Sequence, residues 1–303
     1  MAPLHKAVTV LGGGLTSLAF AYRLSTLSPA TQITLLEAAP RLGGWLSTVS
    51  LPLPDGAGAV QIEEGPRSVR PKGRGAPRLL GMVQELGLSD DVVTVGKDHP
   101  SAKNRFLLHP TPDALLKLPS SPASLLGTTI GRSLALAALK EPFQPRSTES
   151  DESVDDFFRR RFGPVIADSV ASAMVHGIYA CSTKDLSVRS AFPYLFNAER
   201  ARGSVIKALI LGLPKSDAES REAALEQARW DALGEWGTTL KSQSVWGLRG
   251  GLGRLTAALQ ETLRARGVDI RLGEAVERLE LSSEGVQVRR PASVTPCCAG
   301  REG

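Results

Sequence analysis

The residues closest to the start of the chain that could do chemistry are Gly12, Gly13, Gly14, Leu15, Thr16 and Ser17, the run GGGLTS, with Glu37 following 20 residues after Ser17. Gly12 and Gly14 occupy the first and third positions of a six-residue loop. Glycine there permits positive φ and lets the backbone come close to a pyrophosphate. A helix beginning in such a loop turns its N–H groups and positive dipole end toward the phosphates. Ser17 stands where a dinucleotide fingerprint has its last glycine, which lets the helix pack on the strand; a small serine does this with slight strain. A carboxylate at Glu37 accepts hydrogen bonds from ribose hydroxyls, and its charge disfavours a 2′-phosphate. Loop and acid together point to a dinucleotide. The bland alternative is a plain turn followed by a surface glutamate.

The elements around these residues have the periodicities needed to position them. KAVTVLGGG reads as a short β-branched strand ending in glycines, and LTSLAFAYRLSTL as a helix stopped by Ser28 and Pro29. TQITLLEAA is a second strand, completing a βαβ unit of about 30 residues. RLGG, at Arg41 to Gly44, offers a second close backbone approach to a pyrophosphate, or a simple glycine turn after a strand. LPLPDGAGAVQIEEGPRSVRP predicts a hairpin leading into a tight Gly-Pro turn. APRLLGMVQELGL (76–88) predicts an amphipathic helix capped by Gly87.

From about 110 the chain mixes prolines with an apolar, helix-like stretch. Two helices broken near Gly163 and Pro164 come next, and then a polar, exposed helix over 216–236. VWGLRGGLGRLTAALQETLRARGVDIRLGEAVERLELSSEGVQVRR restores alternating helix and strand, predicting a return to the first sheet. The fold class expected is α/β: a Rossmann-like parallel sheet with helices, carrying an inserted, largely helical region. The expected division is 1–109 and 236–290 for the nucleotide-binding part, 110–235 for the helical insertion, and 291–303 for an atypical tail that reads as a truncation.

Composition removes several functions. The net charge is +5, but Lys and Arg are spread along the chain and aromatics are only 5%. No stretch interleaves the two, so nucleic acid is not expected as a partner. The basic balance suits anionic ligands or an anionic membrane surface. Three cysteines cannot build a disulfide scaffold, and four histidines without metal-ligand spacing predict no metal site. No apolar run is long enough for a membrane-spanning helix, and no leader is expected ahead of the first strand.

With RLGG just past Glu37, the start of the chain resembles the FAD-binding amine-oxidase superfamily more than NAD dehydrogenases. The strings EEGPRSVRP, DHPSAKNRFLL, ESVDDFFRRRFGPVIAD, HGIYACSTKDLSVRSAFPYL and LRGGLGRLTAAL narrow this, in order from residue 6 to about 290, to a resemblance to the protoporphyrinogen oxidase family. The resemblance implies an oxygen-dependent FAD enzyme that removes six electrons from protoporphyrinogen IX to give protoporphyrin IX, with H₂O₂ released. The flavin would carry the chemistry, so no side chain is nominated as an acid or base.

Matched by position, Gly12 to Ser17 would hold the FAD pyrophosphate, and Glu37 with Ala38 the adenosine ribose. Arg41, Gly43, Gly44 and Trp45 would line the central part of the cofactor. Gly65, Pro66, Arg67 and Ser68 would lie near the flavin, and Val276 against the adenine; on physics alone Val276 is an apolar strand residue. Arg105 would pair with a substrate propionate, and Gly177 would leave room for a flat tetrapyrrole.

The resemblance further implies a monotopic membrane surface, the mitochondrial inner membrane, a homodimer and contact with ferrochelatase. Cys181 departs from the family glycine and is expected to be a small buried filler. Family members continue well beyond this chain, which puts the activity of the chain as given in question. The competing readings are another amine-oxidase-type flavoprotein, such as a polyamine oxidase or carotenoid desaturase, and a non-catalytic FAD-binding remnant.

Overall fold

The computed structural model describes residues 7–104, 106–108, 115–118, 127–214, 216–282 and 285–289. The chain divides into two compact units, one formed by Met1–Lys97 with Leu225–Gly303 and the other by Asp98–Ala224.

The first unit is organised on a parallel sheet. Strand β1 (Ala7–Leu11) pairs in parallel with β2 (Gln32–Glu37), placing Val10 opposite Leu35. β2 pairs on its other side with a late strand, Asp269–Leu272, placing Leu35 opposite Ile270. That pairing is the return to the first sheet that the alternating C-terminal pattern predicts. Helix α1 (Leu15–Leu27) connects β1 to β2 and ends at Ser28, whose N–H donates to the Leu24 carbonyl at 2.8 Å. It buries Leu18, Ala21 and Tyr22.

The Gly253–Ala265 helix packs beside α1 and buries Leu255, Leu259 and Leu263, a stripe at i, i+4 spacing. With Leu35, Leu80, Val83 and Trp246 these side chains form one core. Each fully buried aliphatic contributes about 1.5–3 kcal/mol from removal of apolar surface. Helix α2 (Ala76–Glu85) supplies Leu80 and Val83, and Gly87 follows at φ +70°, where the sequence places the stop. Two antiparallel pairs complete the unit's middle. They are the predicted hairpin of β3 (Thr48–Pro52) with β4 (Ala59–Glu63), and Val92–Gly96 with Gln243–Leu248.

The second unit is helical. Its helices include Thr129–Lys140, Val154–Phe162, Ser172–Tyr179, Pro193–Arg202 and Val205–Leu211. Thr128, Ser153 and Ser204 each cap a helix by accepting a backbone N–H three residues on, at 3.0 Å. The predicted break is present: Gly163 at φ +88° ends one helix and Pro164 opens the next turn. Phe157, Ala167, Val175, Val188 and Ala208 build the core.

That core contains an ionic cluster. Glu141, fully buried, accepts from Arg161 Nε at 2.8 Å and from the Val205 amide at 2.8 Å, and also from the Ser204 hydroxyl. Cys181 is half-buried at the edge of the core rather than fully buried as expected. The predicted 216–236 helix divides: Asp217–Ala232 is polar and mostly exposed, burying Trp230, and a separate helix, Gly234–Ser242, starts at Gly234 with φ +63°. Among the described residues, no helix is long and apolar enough to cross a membrane.

Candidate functional site

The site begins where β1 stops. Gly12 takes φ +83°, a conformation strained for any residue with a Cβ, and its N–H donates to the Leu36 carbonyl at 2.8 Å. Gly14 departs from the expected positive φ: it is the N-cap of α1 at φ −70°. A Cβ built at Gly12 or Gly14 meets nothing within 4 Å, so both open on free space. No side chain caps α1 and its first turn holds no acid, which leaves its positive end available to an anion. Leu15 and Thr16 lie in that first turn. Gly13 is buried, and a Cβ there would sit 2.4 Å from Leu42 Cδ2 and 3.0 Å from Glu37 Oε2.

Glu37 closes this loop. Its carboxylate accepts the Gly13 N–H on one oxygen and the Ala39 N–H, at 2.7 Å, on the other. A carboxylate has about four lone-pair positions, so two remain after these bonds for outside donors. Ser17 settles its own polarity, since its hydroxyl donates to the Leu11 carbonyl at 3.3 Å, tying α1 back to β1. Serine is therefore accommodated at this position. Restoring the fingerprint with Ser17→Gly is expected to lower stability by about 0.5 kcal/mol through helix propensity. FAD affinity should stay within about twofold; thermal unfolding and flavin titration together check this.

Beside the loop lies a cleft of about 450 Å³ lined by Gly12, Glu37, Ala38 and Val276, with Leu11 and Arg278 among its walls. The segment after the Asp269–Leu272 strand crosses the end of β2 here. Gly273 N–H donates to the Ala39 carbonyl at 3.2 Å and Glu274 N–H to the Glu37 carbonyl at 2.9 Å. Four predicted residues, two from the N-terminal turn-and-strand and one each from their neighbours near and far in sequence, thus share one wall. Its chemistry fits an adenosine: a carboxylate for the ribose hydroxyls, and apolar Ala38 and Val276 for a flat base.

The RLGG turn docks on the first loop. Gly43 N–H donates to the Gly13 carbonyl at 2.8 Å, and a Cβ on Gly44 (φ +58°) would lie 3.1 Å from Gly14 Cα. Glycine here permits backbone against backbone. The Arg41 guanidinium is directed inward on this turn, donating to the carbonyls of Leu42 (3.3 Å), Gly44 (3.1 Å) and Leu46 (3.3 Å). Trp45 is 87% exposed.

Gly65 presses on that same turn: a Cβ there would be 1.9 Å from the Trp45 carbonyl oxygen. Pro66, Arg67 and Ser68 follow as an exposed turn, and Val69 then exchanges two 2.8 Å backbone bonds with Trp246. Gly177, in the second unit, is exposed on the Ser172–Tyr179 helix with open space beside it. Arg105 lies outside the described residues. Among the described residues, no group of three His, Cys, Asp or Glu is arranged to hold a metal ion.

Sequence reasoning missed Thr48 and Glu63, which join the hairpin to the start of the Gly253–Ala265 helix. Glu63 accepts the Leu252 N–H at 2.5 Å, across 189 positions of sequence, so no local pattern reports it.

Comparison with known proteins bears on the family and the fold. The profile of the family described as "Flavin containing amine oxidoreductase" matches residues 18–294. A curated protoporphyrinogen oxidase from Homo sapiens is 39% identical over 292 residues, covering 93% of this chain and 56% of that protein. One from Schizosaccharomyces pombe is 36% identical over 267 residues, 85% of this chain and 54% of the relative. A coproporphyrinogen III oxidase from Bacillus subtilis is 32% identical over 220 residues, 70% of this chain and 44% of the relative. The chain thus spans about half the length of the curated relatives it matches.

A solved structure from Exiguobacterium sp. 255-15 superposes with a TM-score of 0.64 at 24% identity, covering 94% of this chain and 56% of that one. A putrescine oxidase superposes with a TM-score of 0.53 at 17% identity, covering 95% and 55%. At these identities both report the α/β fold alone. The cofactor of this family is FAD. With the profile match and 39% identity to a curated relative over 93% of its own length, the chain belongs to the flavin containing amine oxidoreductase family.

Proposed function

We propose that the chain binds FAD and serves the oxidation of protoporphyrinogen IX to protoporphyrin IX by O₂, with release of H₂O₂, the penultimate step of haem biosynthesis. The observation that carries the cofactor half of this reading is the single cleft shared by Gly12, Glu37, Ala38 and Val276. The 36–39% identity to curated protoporphyrinogen oxidases supports the substrate half.

In this reading Gly12 to Ser17 face the pyrophosphate at the start of α1, and Glu37 takes the ribose hydroxyls on its two remaining lone-pair positions. Arg41, Gly43, Gly44 and Trp45 line the centre of the cofactor, with Gly65 to Ser68 toward the flavin. FAD, when bound, would supply the redox chemistry, taking the six electrons of the porphyrinogen in three two-electron rounds, each passed to one O₂ to give one H₂O₂. The chain's own residues bind and orient. Glu37 fixes the loop through the Gly13 N–H, and Arg41 holds the 41–45 turn in shape through three carbonyls. Arg105 would fix one propionate of the macrocycle, and Gly177 would spare space for its plane.

Residues 110–235 would form the substrate and membrane-associating region between two stretches of the FAD domain, 1–109 and 236–290. The exposed aliphatics Leu209, Ile210 and Leu211 support a surface lying on one leaflet; by family resemblance the membrane would be the mitochondrial inner membrane and the partners a second copy of the chain and ferrochelatase.

The test is to load the 303-residue chain with FAD, supply protoporphyrinogen under air, and follow porphyrin fluorescence. FAD-dependent formation of protoporphyrin is the expected result. Oxidation of amines with none of porphyrinogen would overturn the reading in favour of another amine-oxidase chemistry. A flavin-loaded chain that turns over neither substrate would contradict the activity and leave a flavin-binding protein.

A further inference from the structure

Glu63 sits at the open end of the β3–β4 hairpin, directly opposite Thr48. Its carboxylate takes the Thr48 hydroxyl at 2.8 Å on one oxygen and the Leu252 N–H at 2.5 Å on the other. Thr48 Oγ1 in turn takes the Gly253 N–H at 2.9 Å. The Gly253–Ala265 helix has no side-chain cap of its own, so these two hairpin side chains supply its first acceptors and put a negative charge at its positive end. The fit is close: a Cβ on Gly251 (φ +92°) would lie 2.3 Å from Thr48 Cγ2.

This junction reaches two of the cofactor turns. In the first turn of the helix, the hydroxyl of buried Thr256 donates to the Gly253 carbonyl at 2.8 Å, and a Cβ on Gly43 would sit 3.4 Å from the same hydroxyl. Gly43 in turn bonds Gly13. β4 ends at Glu63, and just past it Gly65 abuts the Trp45 carbonyl, while the Glu64 N–H donates to the Ser47 carbonyl at 2.9 Å. None of these contacts involves Glu37, Ala38 or Val276 in the cleft.

We infer that Glu63, with Thr48, is a positioning residue for the half of the cofactor beyond the adenosine. It fixes the 41–45 and 65–68 turns relative to the 12–17 loop by anchoring the hairpin to the helix. The inference rests on the flavin-site reading above. It has a specific consequence: ADP, which needs only the cleft and the start of α1, should be indifferent to Glu63, whereas FAD should not.

The experiment is calorimetric titration of the 303-residue chain with ADP and with FAD, for wild type, Glu63→Gln, Thr48→Val and Thr48→Ser. Loss of the charge-assisted bond in Glu63→Gln should weaken FAD about tenfold while ADP changes by less than about twofold. Thr48→Val should show the same selective loss, and Thr48→Ser should recover wild-type values. Equal weakening of both ligands, or no change in either, overturns the inference and leaves the junction a purely structural cap. Should Glu63→Gln fail to fold by circular dichroism, the Thr48 pair decides by the same criterion. A wild-type chain that binds neither ligand instead overturns the flavin site itself, and the inference with it.

Discussion

Glu141→Ala is expected to destabilise the helical unit by about 3–5 kcal/mol, the cost of leaving one partner of a buried ion pair uncompensated. Glu141 and Arg161 are both essentially inaccessible to solvent. The carboxylate takes Arg161, the Ser204 hydroxyl and the amides of Val205 (2.8 Å) and Ile206 (3.2 Å), so it also serves the first turn of the Val205–Leu211 helix. Removing it orphans those donors together. Arg161 would retain Glu199 at 3.4 Å and the carbonyls of Gln144 (3.0 Å) and Gly203 (2.9 Å), which blunts but does not cancel the loss. A fall of about 10 °C in the unfolding temperature of this unit follows.

The same group sets an acid limit. Burial, the largest single influence, pushes the Glu141 carboxyl up. The donors from Ser204, Val205, Arg161 and Ile206 together outweigh it and hold the carboxyl below its ordinary range. A group with a depressed folded-state pKa contributes stability that is complete above its unfolded value and lost as pH falls through its folded one. Wild type should therefore lose stability on acidification below the ordinary glutamate range. Glu141→Gln should start less stable and show a shallower acid limb. Urea unfolding at neutral and acid pH checks both statements; an acid limb of equal slope in the two proteins would contradict them.

Glu37→Ala should weaken FAD binding by about 10- to 100-fold, the range for hydrogen bonds to a charged group. It acts twice. It removes the acceptor for ribose hydroxyls, and it strands the N–H of buried Gly13 in the loop that must stay in shape. Glutamine should not rescue it. Both carboxylate oxygens accept backbone N–H groups, from Gly13 and Ala39, and an amide offers only one acceptor while aiming a donor at the other N–H. Glu37→Gln is therefore expected to behave like Glu37→Ala, although it is nearly isosteric.

How far the sequence reveals this site depends on the range of the interaction concerned. Strand, glycine loop, helix and strand-end acid are local features, so β1, α1, β2 and Glu37 are readable from periodicity and spacing, as are the stops at Ser28 and Gly87. The hairpin and the break at Gly163 are likewise carried by Gly and Pro. Geometry within the loops is less accessible. Gly14 takes a negative φ because it caps a helix, and its value lies in the open space beside it. Arg41 is expected from the resemblance to line the centre of the cofactor, and its guanidinium lies on three backbone carbonyls of its own segment. Contacts between distant segments leave no local trace at all. Glu63 on Leu252, and Glu141 with Arg161 and Ser204, look like ordinary surface charges until the fold brings their partners to them. Cys181, expected in the core, lies at its edge because the helix before it ends at Ala180 in the left-handed region.

In the proposed function, the cleft at Gly12, Glu37, Ala38 and Val276 holds the adenosine half of FAD. The most direct measurement of this is a titration of FAD with the flavin-free 303-residue chain, followed by quenching of flavin fluorescence, for wild type and Glu37→Ala side by side. The account predicts saturable binding at one FAD per wild-type chain, with the variant weaker by about 10-fold or more. Quenching that does not saturate in wild type, or a variant that binds as tightly as wild type, would contradict it.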